Sequence, residues 1–137
     1  MRHDGGYSLI ESLTALAVFA VGAACHATWT MQSMATHARA SRLVAATTIA
    51  VSLEIRMRAN AQGVLAGHYE SDARRLSCAA GCSAREIAEA DLWLFHEAIK
   101  NHLGGAASSR VSCRHEIGCT ISIAWLDRPV LDWSFRP

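Results

Sequence analysis

An α+β fold is what this sequence predicts: a long N-terminal helix packed on a small C-terminal antiparallel β-sheet domain. Three observations predict it. First, no Asp, Glu, Lys or Arg occurs from Ser12 to Ala38, and the only two prolines are Pro129 and Pro137, so nothing interrupts a helix from Ser8 onward. Second, Ser83-Ala84-Arg85-Glu86 reads as a capping box that opens a second helix. Third, the tail alternates apolar and polar residues with a period of two, the pattern of half-buried strands.

The first helix is predicted from Tyr7 to about Asn60. Its first half is apolar all round, with Leu13, Leu16, Val18, Phe19 and Val21 set among alanines. Crossing a bilayer takes about 20 residues, and this segment is long enough. From Met31 the pattern turns amphipathic: Met31, Met34, Ala38, Ala45, Ile49, Leu53 and Met57 follow helical spacing, with Arg39, Arg42, Glu54, Arg56 and Arg58 off that stripe or on its border. At 1.5 Å per residue the whole element is about 80 Å long, far more than a membrane needs, so its outer half is expected to pack on the head.

Asn60-Ala61-Gln62-Gly63 supplies a stop, with Gly63 suited to a left-handed cap. Ser77 to Ser83 is expected as a loop. The second helix should run from Ala84 to about His102, with Ile87, Leu92, Phe95, Ile99 and Leu103 on its apolar face and Gly104-Gly105 ending it. About three strands follow, carried by Val111 and Cys113, by Cys119, Ile121, Ile123 and Trp125, and by Leu131, Trp133 and Phe135. Gly118 and Asp127-Arg128-Pro129 are the expected turns. The chain therefore divides into residues 1–6, 7–30 (apolar half-helix), 31–60 (amphipathic half-helix) and 61–137 (head).

The chain has 137 residues, a net charge of +1 and a pI of about 7.7, so no global field draws it to nucleic acid. Of its five cysteines, Cys25 lies in the apolar run and reads as a small buried hydrophobe. Cys78, Cys82, Cys113 and Cys119 all lie in the second half, which points to an oxidising compartment and disulfide staples. Two local loops, Cys78–Cys82 and Cys113–Cys119, are the favoured pairing, each stabilising by roughly 2 kcal/mol. Crossed pairing closes longer loops and contributes about 4 kcal/mol, so energy does not choose between them.

The most informative residues are Gly6-Tyr7-Ser8-Leu9-Ile10-Glu11. A lone carboxylate at the mouth of an apolar run is expensive unless it finds a partner. This segment, glycine, aromatic, Ser, Leu, Ile, Glu and then an Ala/Leu/Val run, resembles the N-terminus of a type IV prepilin. The preceding hexapeptide has no apolar core of its own, unlike a secretory signal. The resemblance implies cleavage between Gly6 and Tyr7 by a prepilin peptidase, N-methylation of Tyr7, and a role for Glu11 in assembly. Glu11 would neutralise the new α-amino group one helical turn away, or that of a neighbouring subunit. The succession of long helix, loop-rich middle and antiparallel sheet resembles the pilin fold. Glu54-Ile55-Arg56-Met57-Arg58-Ala59-Asn60, Gly67-His68-Tyr69, Cys78/Cys82, Asp91-Leu92-Trp93 and Thr120-Ile121-Ser122-Ile123-Ala124-Trp125 stand in an order similar to that of PilV-type minor pilins.

Other chemistries are poorly supported. Cys78 and Cys82 are separated by three residues rather than the two of thiol oxidoreductases. His96 and His102 stand six apart, which is not a ligand spacing on one helix face, and His68 and His115 join no ligand pattern. His26 is expected to be neutral and packed. No hydrolase signature or phosphate loop occurs. Trp93, Trp125, Trp133 and Phe135 read as head core, and Arg56, Arg58, Arg74 and Arg75 as a solvated face rather than a nucleic-acid site. No cofactor, metal, small-molecule substrate or catalysis is expected. The resemblance implies a minor pilin held in the inner membrane with its head in the periplasm, then inserted into the pilus to prime or modify its assembly, with other minor pilins and the major pilin as partners. The alternatives are a minor pseudopilin of a type II secretion system and, from another class, a membrane-anchored periplasmic binding module or enzyme.

Overall fold

A computed structural model describes residues 8–76, 81–114 and 118–137. The elements are α1 (Leu9–Ala59), α2 (Ala61–Leu65), a 3-10 turn (His68–Glu70), α3 (Ala84–Leu103), β1 (Ala107–Arg114), β2 (Gly118–Trp125) and β3 (Arg128–Phe135). The fold is α+β, as the sequence predicts. Two compact units can be distinguished, one ending at Arg39 and the other spanning Ala40–Pro137.

In the first unit α1 carries its apolar side chains outward. Val18 is 74 % exposed and Phe19 73 %. Hydroxyls in this stretch bond within the helix: Thr14 donates to the Glu11 carbonyl, Thr28 to that of Ala24 and Thr30 to that of His26. Such back-bonding satisfies a hydroxyl without water or a tertiary partner. Three expectations fail here. Met31 and Met34 are exposed rather than part of a buried stripe, Cys25 is exposed rather than buried, and His26 is exposed rather than packed. Helical spacing marks which residues share a face, and burial also requires something to cover that face.

In the second unit the cover exists. Ala46, Ile49, Ala50, Leu53 and Met57 of α1 are buried against Ala88, Leu92, Phe95, Ile99 and Leu103 of α3 and against Cys119, Ile121 and Ile123 of β2. Ser83 caps α3 as expected: its hydroxyl accepts from the Glu86 N–H, and the Glu86 carboxylate accepts from the Ser83 N–H at 2.8 Å. Three antiparallel strands lie in the order β1-β2-β3. Pairs such as Val111 with Ile121 and Ile121 with Trp133 put the apolar alternation on one face.

Two turns differ from expectation. Gly63 does not end a helix in the left-handed region; it is buried inside α2. Asn60 makes the break instead, its side chain accepting from the Gly63 N–H at 3.3 Å. Gly67, at φ +71°, takes the left-handed position. The β2–β3 turn falls on Leu126 and Asp127, at φ 49° and 59°, while Arg128 and Pro129 already belong to β3. Two consecutive positive φ values give the turn a twist that matches paired strands.

Cys113 and Cys119 form a disulfide across directly paired positions of β1 and β2, with Cα atoms 4.0 Å apart. That short separation belongs to the narrow, non-hydrogen-bonded pairs of an antiparallel ladder. Cys82 is disulfide-bonded. Cys78, the expected partner of Cys82, lies outside the described residues.

Candidate assembly site

Glu11 stands in the first turn of α1, where a carboxylate is favoured by the helix dipole. It is exposed and makes no ion pair among the described residues. Leu9, Ile10, Leu13 and Leu16, near it along the helix, are also exposed. Gly6 and Tyr7, the expected cleavage and methylation positions, lie outside the described residues. By length and composition α1 is able to cross a membrane, and the most apolar stretch has no part buried within the structure. The site thus consists of a single charge at one end of a bare hydrocarbon surface. Burying that surface favours association with lipid or other apolar helices, and burying the charge demands a cation.

The second unit contains a polar cluster that sequence reasoning did not assemble. Tyr69 donates its hydroxyl to Asp91 Oδ2 at 2.8 Å, and Arg56 Nη1 lies 3.3 Å from Asp91 Oδ1. Asn60 Nδ2 donates to the Tyr69 hydroxyl at 3.3 Å and to the Ala84 carbonyl at 2.8 Å. Four residues from the three segments Glu54–Asn60, Gly67–Tyr69 and Asp91–Trp93 therefore meet at one point. The shared signal in the sequence was their order along the chain, which carries no distance. Burial of the phenol, with Asp91 beside it, pushes the Tyr69 pKa well up. Among the described residues no buried side-chain nitrogen or oxygen lacks a partner, so the cluster is closed on itself.

Aromatic residues of the sheet are held by α1. Trp133 Nε1 donates to Glu54 Oε2 at 2.6 Å, and Arg58 Nη2 lies 2.8 Å from Glu54 Oε1. The indole N–H, with Arg58 beside it, holds the Glu54 carboxyl below its usual range against the opposing effect of desolvation. The Arg42 guanidinium sits 3.6 Å from the centre of the Trp125 ring, and that of Arg58 5.7 Å from the Phe135 ring. These rings are half-buried: Trp133 and Phe135 pack against the core as expected, and Trp125 and Phe135 are each faced by an arginine.

The arginines expected to form a solvated face are exposed, and each also has a partner. Arg56 pairs with Asp91, Arg58 with Glu54, and Arg74 lies 3.9 Å from Glu89. Arg75 covers Trp93 at 5.3 Å. A cleft of ≈ 320 Å³ opens between α1 and α3, and the two charged residues that line it, Arg56 and Asp91, are committed to each other. Partial burial lowers the pKa of His96, and two hydrogen bonds from Ser83 lower that of Glu86. No group of three or more His, Cys, Asp or Glu gathers among the described residues. Comparison with protein-family models, curated proteins and solved structures returned no match.

Proposed function

We propose that this chain is a PilV-type minor pilin of a type IV pilus. It is cut between Gly6 and Tyr7, held in the inner membrane by α1 with its head in the periplasm, and then moved into the filament, where it primes or modifies assembly. The observation that carries this reading is Glu11, a carboxylate with no ion pair among the described residues, in the first turn of α1 at its exposed apolar end. A soluble domain has no use for such a surface, and a simple lipid anchor has no use for the charge. A newly formed amine on Tyr7, or on a neighbouring subunit, offsets the cost of taking the carboxylate into an apolar medium. The helix then exchanges lipid contacts for contacts with other pilin helices, and no catalytic step is needed. Disulfides in the head fit an oxidising compartment.

Mass spectrometry of the native protein tests the processing step. The expected mature chain begins at Tyr7 and carries a methyl group there. Glu11→Ala should leave cleavage intact and deplete the protein from sheared pili. Retention of the first six residues, or normal incorporation of Glu11→Ala, overturns the reading. Loss of protein secretion without loss of pili on deletion assigns the chain to a type II secretion system instead.

A further inference from the structure

We propose that the β2–β3 turn docks the head on the membrane surface, with Leu126 entering the headgroup layer and Arg42, Lys100 and Arg128 meeting the phosphates of anionic phospholipids. This rests on the reading of α1 as a membrane anchor and gives the head a lipid contact of its own.

Three segments meet at one end of the second unit. The Arg42 guanidinium lies 3.6 Å from the centre of the Trp125 ring, which ties the start of the unit to the end of β2. Leu126 donates its N–H to the Ala106 carbonyl at 3.0 Å, and Ala107 pairs with Trp125. Ala107 in turn donates to the carbonyl of Gly104, the residue that caps α3. Residues 40–45, the last turn of α3 and the β2–β3 turn therefore share the end at which α1 enters the head.

That end is basic and apolar. In residues 40–45, 99–108 and 125–130 the cations are Arg42, Lys100 and Arg128, against a single acid, Asp127. None of the four is in an ion pair among the described residues. Lys100 and Arg128 are exposed, and so are Leu43, Val44 and Leu126.

Leu126 is the most informative of these. It stands at φ 49°, followed by Asp127 at 59°. A turn with two positive φ values favours Asn and Gly, and the Cβ of a leucine makes that conformation costly. The core gains little in return, because Leu126 is 57 % exposed. An apolar side chain held outward on a strained turn, with cations beside it, suits the edge of a bilayer. There the apolar group sinks below the headgroups while the cations stay among the phosphates.

The chain sets the height. The run from Ser12 to Ala38 carries no charge and rises about 40 Å at 1.5 Å per residue. A bilayer with its headgroups is about 40–45 Å thick. Arg42 follows four residues after Ala38, about 6 Å further along the helix. The tether therefore keeps the Trp125–Arg128 turn within reach of the phosphates.

The test uses the full chain on a Cys25→Ser background, reconstituted into vesicles, with that parent giving the labelling background. Leu126→Cys carries a polarity-sensitive dye, and Leu65→Cys carries the same dye as the control. Leu65 is also exposed, but it lies in α2, beyond the other end of α1. The dye's own affinity for lipid is thus common to both. Some lipids bear a nitroxide quencher high on the acyl chain. In vesicles containing phosphatidylglycerol the Leu126 label should shift to the blue and be quenched, while the Leu65 label should not. In phosphatidylcholine alone the quenching at Leu126 should fall. Arg128→Gln should lower the ratio of docked to undocked heads about fivefold in the anionic vesicles. Equal quenching at the two positions, or no dependence on lipid charge, overturns the proposal. Quenching that follows protein density instead of lipid charge means that Leu126 meets another copy, and overturns it too. Flotation with the vesicles scores the anchor separately. A chain that floats while Leu126 stays in water defeats this proposal alone, and a chain that does not float defeats both.

Discussion

The hydroxyl of Tyr69 donates to Asp91 Oδ2 at 2.8 Å, joining the short segment after α2 to the middle of α3. Both residues are buried, and Asn60 and Arg56 complete the ring of partners. Replacing Tyr69 by Phe keeps the ring's volume and removes the donor from a buried carboxylate. The expected cost is about 1–3 kcal/mol, read as a lower midpoint in chemical denaturation.

The same residue gives a pH signature at the alkaline end. Its folded pKa is raised above the ordinary value of 10.0, so near and above that pH the unfolded chain gives up the proton first. The native state then binds more protons than the unfolded state, and stability falls as pH rises. The Tyr69 contribution is therefore fully present below pH 10 and declines above it. Tyr69→Phe should be less sensitive to alkali than the parent over that window. Thermal melts in parallel across the alkaline range check this, and equal alkaline losses in both proteins count against it.

Glu54 behaves in the opposite sense. Its folded pKa lies below the ordinary 4.5, because the Trp133 indole and Arg58 favour the carboxylate. The resulting stability is present above pH 4.5 and is lost as the pH falls through the lower, folded value. Glu54→Ala should cost about 1.5–3 kcal/mol at neutral pH, since it removes a charged acceptor and leaves the indole N–H half-buried. The gap between the two proteins should narrow under acid. Denaturation curves at neutral and acid pH measure it.

Gly63 is required by space. A Cβ there collides with the Asn60 amide and comes within 2.9 Å of the Ala84 carbonyl, which is backbone and cannot swing aside. Gly63→Ala should cost about 1–3 kcal/mol through overpacking. Gly105→Ala is the control, because nothing lies within 4 Å of the added carbon and its φ is not in the left-handed region. It should change stability by less than about 0.5 kcal/mol. Equal losses in the two variants, measured by urea unfolding, refute the crowding argument.

Cys113 and Cys119 close a short loop between paired strands. Replacing both with Ala should lower stability by about 2 kcal/mol, the chain-entropy value for so small a loop. The loss is read as a shift in the denaturation midpoint. A shift in the slope instead would mean that the unfolded state had changed in compactness.

Local instructions in the sequence were sufficient for the elements themselves. An unbroken run without proline made α1, Ser83 with Glu86 started α3, and period-two alternation around Ile121 and Ile123 made the sheet. These signals act over a few residues, so they are readable before any tertiary contact exists. The sequence favours Cys113 with Cys119 as a local loop, and strand register brings the two together. The tertiary structure decided which stripe of α1 is covered. Ala46, Ile49 and Leu53 are buried while Met31 and Met34 are not, because helical periodicity names a face without naming its neighbour. It also decided that Gly63 is a packing position rather than a cap, that Glu54 meets Trp133, and that Arg56, Asn60, Tyr69 and Asp91 converge. Each of these depends on a distance between segments far apart in the chain, and that distance is set only when the core closes.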